Sequence, residues 1–286
     1  MAQKISSDEL KRFLDANKLE PRLLGHLERH LMKRPAGDRR TDVLHPSEII
    51  KKDWCKRASF FLLKGYPKVQ ANPSLRMQTI FDTGHAIHAK WQAWFQEMGV
   101  LHGKFKCDVC DKITWGTSPE ECEHCHAPAS KLEYAEVTLV DEGLHIAGHT
   151  DGWLKGIGND TLIEIKSIGP GTIRAEAPAI MSQADGDFMK AWGKVTRPFP
   201  SHILQGQMYL ELMHRMGNPV DEIVFLYELK ADQSYKEFSI RKDYELVRHI
   251  FDQAEILAKQ LEADEAPKCN VGANGSCEKC QAFKGM

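Results

Sequence analysis

The stretch from Gly148 to Ser167, G-H-T-D-G-W-L-K-G-I-G-N-D-T-L-I-E-I-K-S, decides how this chain is read. It has the pattern of a hairpin. The first strand carries Asp151, the turn is the glycine-rich G-I-G-N-D, and the second strand carries Glu164 and Lys166. Side chains alternate faces along a strand, so Glu164 and Lys166 point one way while Ile163 and Ile165 point into the opposite, buried face. An aspartate on the neighbouring strand meets that pair, giving two carboxylates and one ammonium in a pocket. Such carboxylates repel unless a hard divalent cation lies between them. A lysine beside that cation can hold a water or a phosphate oxygen, the arrangement used in metal-assisted phosphodiester hydrolysis. The bland alternative is a surface hairpin with a solvated charged face.

Working outward, the eight cysteines sort into two sets of four with none left over. Nothing at the N-terminus resembles a secretion signal, so metal is expected rather than disulfides. Cys107, Cys110, Cys122 and Cys125 form two C-x-x-C knuckles around a short loop, the ligand spacing of a four-cysteine zinc ribbon. Residues 100–132 are thus expected to be a small zinc-dependent insertion with little core of its own, with Lys104, Lys106 and Lys112 available for DNA or partner contact. The second set is Cys55 with Cys269, Cys277 and Cys280.

The chain has 286 residues, 42% hydrophobic and 27% charged, with a net charge of -2. These values suit a globular protein of one large domain, or one domain with an insertion, and exclude a uniformly basic nucleic-acid binder. Any DNA contact must come from local patches, such as the segment from Ser47 to Arg76, where seven Lys/Arg face two acidic residues. No apolar run reaches the length of a membrane span, so a cytoplasmic location is the default expectation.

Residues 4–34 read as charged helix interrupted at Pro21, within a helical N-terminal segment 1–45 ahead of the main domain 46–286; Arg34 to Arg40 reads as a loop. Ser47 is the expected cap of a helix that carries Cys55 and ends at Gly65. Asn72-Pro73 is the expected start of a helix running to Gly99, with Met77, Phe81, Gly84, His88, Trp91 and Phe95 as its inward stripe. His88 on that stripe is either a packed core histidine or a ligand, and His85 is close enough to compete. Ile168 to Pro200, rich in glycine and proline, reads as a long loop over the site, with Arg174, Lys190, Lys194 and Arg197 available to phosphates. Ser201 is the expected cap of a helix ending at Gly217, on which Gln205 and Tyr209 share a face. Two strands and a long amphipathic helix from Asp243 to Ala263 complete the pattern.

Taken together, these motifs resemble the RecB-like branch of the PD-(D/E)xK nucleases, and within it the single-domain exonucleases of CRISPR systems and phages. The resemblance rests on Gly84 to His88 (G-x-x-x-H), Gly148, Asp151 and Gly152 (G-x-x-D-G), Glu164 and Lys166 (E-x-K), Gln205 and Tyr209 (Q-x-x-x-Y), and one cysteine before the core with three after it. It implies an α/β, restriction-endonuclease-like fold with a mixed central sheet flanked by helices. It implies Mg2+ or Mn2+ held by His88, Asp151, Glu164 and the carbonyl of Ile165, with Lys166 positioning water and Gln205 and Tyr209 supporting the site or touching DNA. It also implies a 4Fe–4S cluster on Cys55, Cys269, Cys277 and Cys280, a structural clip, with a second Zn2+ as the alternative. DNA is the implied substrate, single- or double-stranded, and recombination or CRISPR-adaptation proteins are the implied partners. Two departures stand out: the C-terminal spacing C-x7-C-x-x-C, and the ribbon inserted between the histidine and aspartate motifs. A non-catalytic zinc-ribbon DNA-binding module and an iron–sulfur redox protein are the competing readings.

Overall fold

The structure is a computed structural model, and it describes residues 5–20, 23–33, 40–68, 73–272 and 275–283. The stretch Arg34 to Asp38, Arg39 included, and the expected cap Asn72 lie outside the described residues. Two compact units are present, one of residues 1–38 and 71–81 and one of residues 39–70 and 82–286.

The smaller unit holds helices α1 (Ser7–Asn17) and α2 (Leu23–Leu31). Ser6 opens α1 with a reciprocal capping box, its hydroxyl accepting from the Glu9 amide and the Glu9 carboxylate accepting from the Ser6 amide. Neither helix buries a residue.

The larger unit begins with α3 (Pro46–Ile49) and α4 (Lys56–Leu63). The expected single helix capped by Ser47 is two: His45 precedes α3, with proline in its first turn, and Cys55 caps α4, its sulfur accepting from the Ala58 amide. Gly65 ends α4 at φ +76° as expected. Helix α5 (Leu75–Glu97) starts two residues after Pro73, where the Ser74 hydroxyl accepts from Met77. Only the second half of its expected stripe is covered. Met77 and Phe81 are exposed, whereas Ile87, Trp91 and Phe95 pack on the sheet.

Strands β1 (Leu101–Cys107), β2 (Ile113–Thr117), β3 (Leu132–Ala135), β4 (Val137–Asp141), β5 (Ile146–Thr150), β6 (Gly152–Leu154) and β7 (Thr161–Ile168) follow. Then come helices α6 (Pro170–Glu176), α7 (Pro178–Gln183), α8 (Phe188–Lys194) and α9 (Pro200–Arg215), strands β8 (Glu222–Leu229) and β9 (Tyr235–Arg241), and helices α10 (Glu245–Glu262) and α11 (Glu278–Gln281). A seven-stranded mixed sheet runs β2-β1-β6-β7-β8-β9, with β3 also pairing β1, and β4 and β5 form a separate antiparallel pair. Strands β7 and β8 are parallel along their whole length, Glu164 beside Phe225 and Lys166 beside Tyr227. The fold is therefore α/β, with a central mixed sheet flanked by helices.

Strand β7 is covered on both faces, as a strand with a parallel partner usually is. Leu162 and Ile168 join Met208 of α9 and Phe251 of α10 in the main core; Ile163 and Ile165 join Ile87, Leu101 and Phe105 in a second one. Glu164 and Lys166 thus lie on a face that is packed, not solvated. The stretch between β7 and β8 is not a loose loop. Proline occupies the first turn of α6, α7 and α9, Asp187 caps α8, and Ile173, Met181, Ala191 and Trp192 are buried. The prolines that suggested irregularity are helix starts. Ser201 lies inside α9, its hydroxyl donating to Glu176 rather than capping the helix.

The ribbon segment is less separate than its spacing suggested. Strand β1 pairs with β6 of the central sheet, and Leu101, Phe105, Cys107, Cys122 and Leu132 share the second core with Ile163 and Ile165. Among the described residues no helix is long and apolar enough to cross a membrane.

Candidate metal and active site

Asp151 does not lie within a strand. It occupies the bend where the chain leaves β5 of the two-stranded pair and enters β6 of the large sheet. Glu136 occupies the matching crossing from β3 to β4. Because Val137 pairs with Thr150, these two carboxylates stand opposite each other at the open end of one hairpin. His88 reaches them from α5. Its Nδ1 lies 3.1 Å from Asp151 Oδ1, and the ligand atoms of His88, Glu136 and Asp151 all fall within 4.8 Å of one another. Asp151 Oδ2 accepts from the Ile165 amide at 2.6 Å. Gln92, one turn beyond His88, donates to the Asp151 carbonyl at 2.8 Å and to Glu136 at 3.3 Å.

Close backbone approach explains two of the glycines. A Cβ on Gly152 would meet Ile163 at 2.7 Å, and one on Gly148 would meet Tyr209 at 3.0 Å and Pro46 at 3.2 Å. Any larger residue at Gly152 would push β6 off β7 and displace Asp151 with it.

On the α9 side of β7 a second string of groups runs inward. Lys166 donates to Glu164 Oε1 at 2.6 Å and to Gln205 Oε1 at 3.0 Å, and Gln205 donates to the Tyr209 hydroxyl at 2.7 Å. Glu164 is 3% exposed, and its Oε2 is buried with no hydrogen-bond partner among the described residues. Burial, with Asp151 nearby, pushes the Glu164 carboxyl up to about 7, opposed by Lys166. Burial and Asp151 likewise raise Glu136. Burial works against a charged His88, but the Asp151 carboxylate bonded to it, with Glu164 and Glu136, outweighs burial and leaves the imidazole above its ordinary value.

The structure gathers His88 and Asp151 with Glu136 in one ligand group, and joins Glu164, Lys166, Gln205 and Tyr209 in a separate hydrogen-bonded row; Glu164 is not a member of the first group. The group of Ile165 bonded to Asp151 is its amide. His85 joins no ligand cluster among the described residues. Sequence reasoning missed Glu136, Gln92 and His202. His202 shares the α9 face of Gln205 and Tyr209 at helical spacing, and its Nδ1 meets the Tyr227 hydroxyl. Burial and the Lys166 charge depress His202 to about 3. Arg174, Lys190, Lys194 and Arg197 are exposed on and after α6–α8.

The carboxylate oxygens of Glu136 and Asp151 with the His88 imidazole are a donor set for Mg2+ or Mn2+. Each cysteine set also closes on itself, with all four sulfurs within 4.8 Å of one another. Cys107 and Cys125 are 3.6 Å apart and Cys110 and Cys122 3.7 Å, which fits four thiolates on one zinc ion. Cys55 and Cys269 are 3.8 Å apart, as are Cys277 and Cys280. That spacing does not fit the expected 4Fe–4S cluster.

No protein-family model matches the chain, and no curated protein matches it. Among solved structures it is similar to LHK-Exo, an alkaline exonuclease from Laribacter hongkongensis, at 15% identity over 79% of this chain and 90% of that one, with a TM-score of 0.40. The crystal structure of LHK-Exo in complex with dAMP is similar at 16% identity, over 78% and 90% of the two chains, with a TM-score of 0.40. The crystal structure of SSO0001 is similar at 12% identity, over 89% and 86%, with a TM-score of 0.34.

Proposed function

We propose that this chain is a divalent-cation-dependent phosphodiester hydrolase acting on DNA. The observation that carries the reading is the His88, Glu136 and Asp151 ligand group, within 4.8 Å, together with the buried Glu164, whose Oε1 accepts from Lys166 and whose Oε2 has no hydrogen-bond partner among the described residues. A buried carboxylate left with an unmet oxygen costs stability unless a cation completes it. Asp151, Glu164 and His88 would hold Mg2+ or Mn2+, with Glu136 as a further carboxylate and the Ile165 carbonyl as the oxygen the family resemblance adds. An ion held there supplies Lewis acidity toward a phosphate oxygen and a lowered pKa for the attacking water.

The chain's own groups have separable tasks. Lys166, aimed by Glu164 and Gln205, presents a fixed positive charge to an anionic phosphate and to the charge that develops on it. Tyr209 holds Gln205, so the ammonium is aimed by residues that are themselves packed. Gln92 holds Asp151 and Glu136 from the α5 side. The exposed Arg174, Lys190, Lys194 and Arg197 offer charge to the DNA backbone outside the site. The exonuclease mode follows from the family resemblance alone.

The test is cleavage of end-labelled single- and double-stranded DNA by wild type and Glu164→Ala, with Mg2+, Mn2+ or EDTA. Cation-dependent cleavage that the variant lacks is the expected result, and the product ladder assigns exo or endo mode and polarity. A folded, cation-supplied wild type that cuts neither DNA overturns the proposal, and cleavage of RNA alone would overturn its substrate.

A further inference from the structure

The geometry points to a single tetrahedral zinc ion, rather than an iron–sulfur cluster, at Cys55, Cys269, Cys277 and Cys280. Four thiolates around one ion at a metal–sulfur distance of about 2.3 Å stand about 3.8 Å from one another, the edge of the tetrahedron. In a 4Fe–4S cluster each thiolate binds its own iron at a separate corner, and the sulfurs stand roughly 6 Å apart. The separations are 3.8 Å for Cys55–Cys269 and 3.8 Å for Cys277–Cys280, and no pair in the set exceeds 4.8 Å. The ribbon cysteines provide a standard within the same molecule, at 3.6 and 3.7 Å. The two sets are built to the same size.

Backbone amides point at the sulfurs as they do toward thiolates. Ala58 donates to Cys55 at 3.4 Å, Gly272 to Cys269 at 3.3 Å and Cys277 to the sulfur of Cys280 at 3.1 Å. Admitting a cluster would require each sulfur to retreat by roughly 1.3 Å from the common centre. The surroundings resist that. Cys55 and Cys280 are buried, and the two chain segments are braced together on either side of the sulfurs. Asn270 accepts from the Lys56 amide at 2.9 Å and donates to the Trp54 carbonyl at 2.8 Å, and Lys279 holds the Asp53 carbonyl at 2.7 Å. A closed set of four thiolates with no open position marks a structural ion that ties α4 to the C-terminal segment.

The test is metal and sulfide content of wild-type protein produced with iron and zinc both supplied and purified without oxygen. Two zinc ions per chain, no acid-labile sulfide and no visible charge-transfer absorption are expected. Cys277→Ser should fall to one zinc, and Cys110→Ser likewise. About four irons and four sulfides per chain, or one zinc ion only, would overturn the assignment. The wild-type count stands even where a variant fails to fold, and it does not depend on whether DNA is cut.

Discussion

Glu136 and Asp151 stand opposite each other at the open end of the β4–β5 hairpin, each at a point where the chain passes between the two sheets. One hairpin therefore delivers two carboxylates to one place, and His88 closes the third side within 4.8 Å. Glu136 is the member that the sequence motifs did not include. Replacing it with glutamine keeps the shape and the Gln92 contact but removes one negative charge. The expected outcome is a 10–100-fold rise in the Mg2+ or Mn2+ concentration needed for half-maximal cleavage, with much of the rate recovered at saturating cation. Metal titration of the cleavage rate checks this. An unchanged titration would mean that Glu136 only packs beside the site.

Lys166 is aimed by two acceptors, Glu164 and Gln205, and Gln205 is in turn held by Tyr209. Lys166→Met should lower the cleavage rate by about 10²–10³, the usual loss when one fixed donor to a developing anion is removed. Tyr209→Phe leaves Gln205 in place but frees it, and a smaller loss of roughly tenfold is expected. The rates are measured at saturating cation, with cation affinity measured separately. A Lys166→Met variant that cuts normally removes the lysine from the mechanism.

Much of this site was legible before any coordinates. Alternation along β7 placed Glu164 and Lys166 on one face, and helical spacing joined Gln205 to Tyr209. Local patterns such as these survive folding because they depend on backbone geometry alone. Glu136 was not legible from its motif context, since it meets Asp151 only through strand pairing. The signal was present: a hairpin turning at D-E-G-L-H puts residue 136 opposite residue 151. The prolines between Ile168 and Pro200 misled because proline both breaks a helix and starts one, and only packing of Ile173, Met181 and Trp192 distinguishes the cases. The size of the Cys55 site was equally hidden, because spacing along the chain does not set the distance between sulfurs.

His202 should make the fold acid-sensitive. Burial and Lys166 lower its folded pKa to about 3, from an unfolded value of about 6.5. Above pH 6.5 both states are neutral there and the group contributes nothing to the pH dependence. Below it the unfolded chain takes up a proton that the folded chain refuses, so stability falls by about 1.4 kcal/mol per pH unit down to the folded value. Glu164 acts in the opposite sense, since its raised pKa favours the folded state as it protonates. The comparison therefore needs His202→Gln beside wild type. Urea unfolding at pH 7 and pH 5 should show wild type losing more stability than the variant. Equal losses would show that His202 titrates freely.

The last expectation concerns Glu228, 1% exposed on β8 and held from α5 by Lys90 at 2.6 and 2.7 Å and by the Trp91 indole. Its neighbours on the sheet are Ser167 and Tyr235, neither of which carries a charge to replace Lys90. Lys90→Met keeps most of the aliphatic stem over Trp91 and Trp94 but leaves the carboxylate buried with one uncharged donor. Removing one partner of a buried pair costs about 3–5 kcal/mol, and because Lys90 is partly exposed the lower end, about 3 kcal/mol, is expected. Lys90→Met with Glu228→Gln removes the stranded charge and should recover at least half of that loss. Urea unfolding of the two single variants and the double variant measures the coupling. If Lys90→Met alone unfolds like wild type, α5 is held to the sheet by Ile87, Trp91 and Phe95 packing and not by this pair.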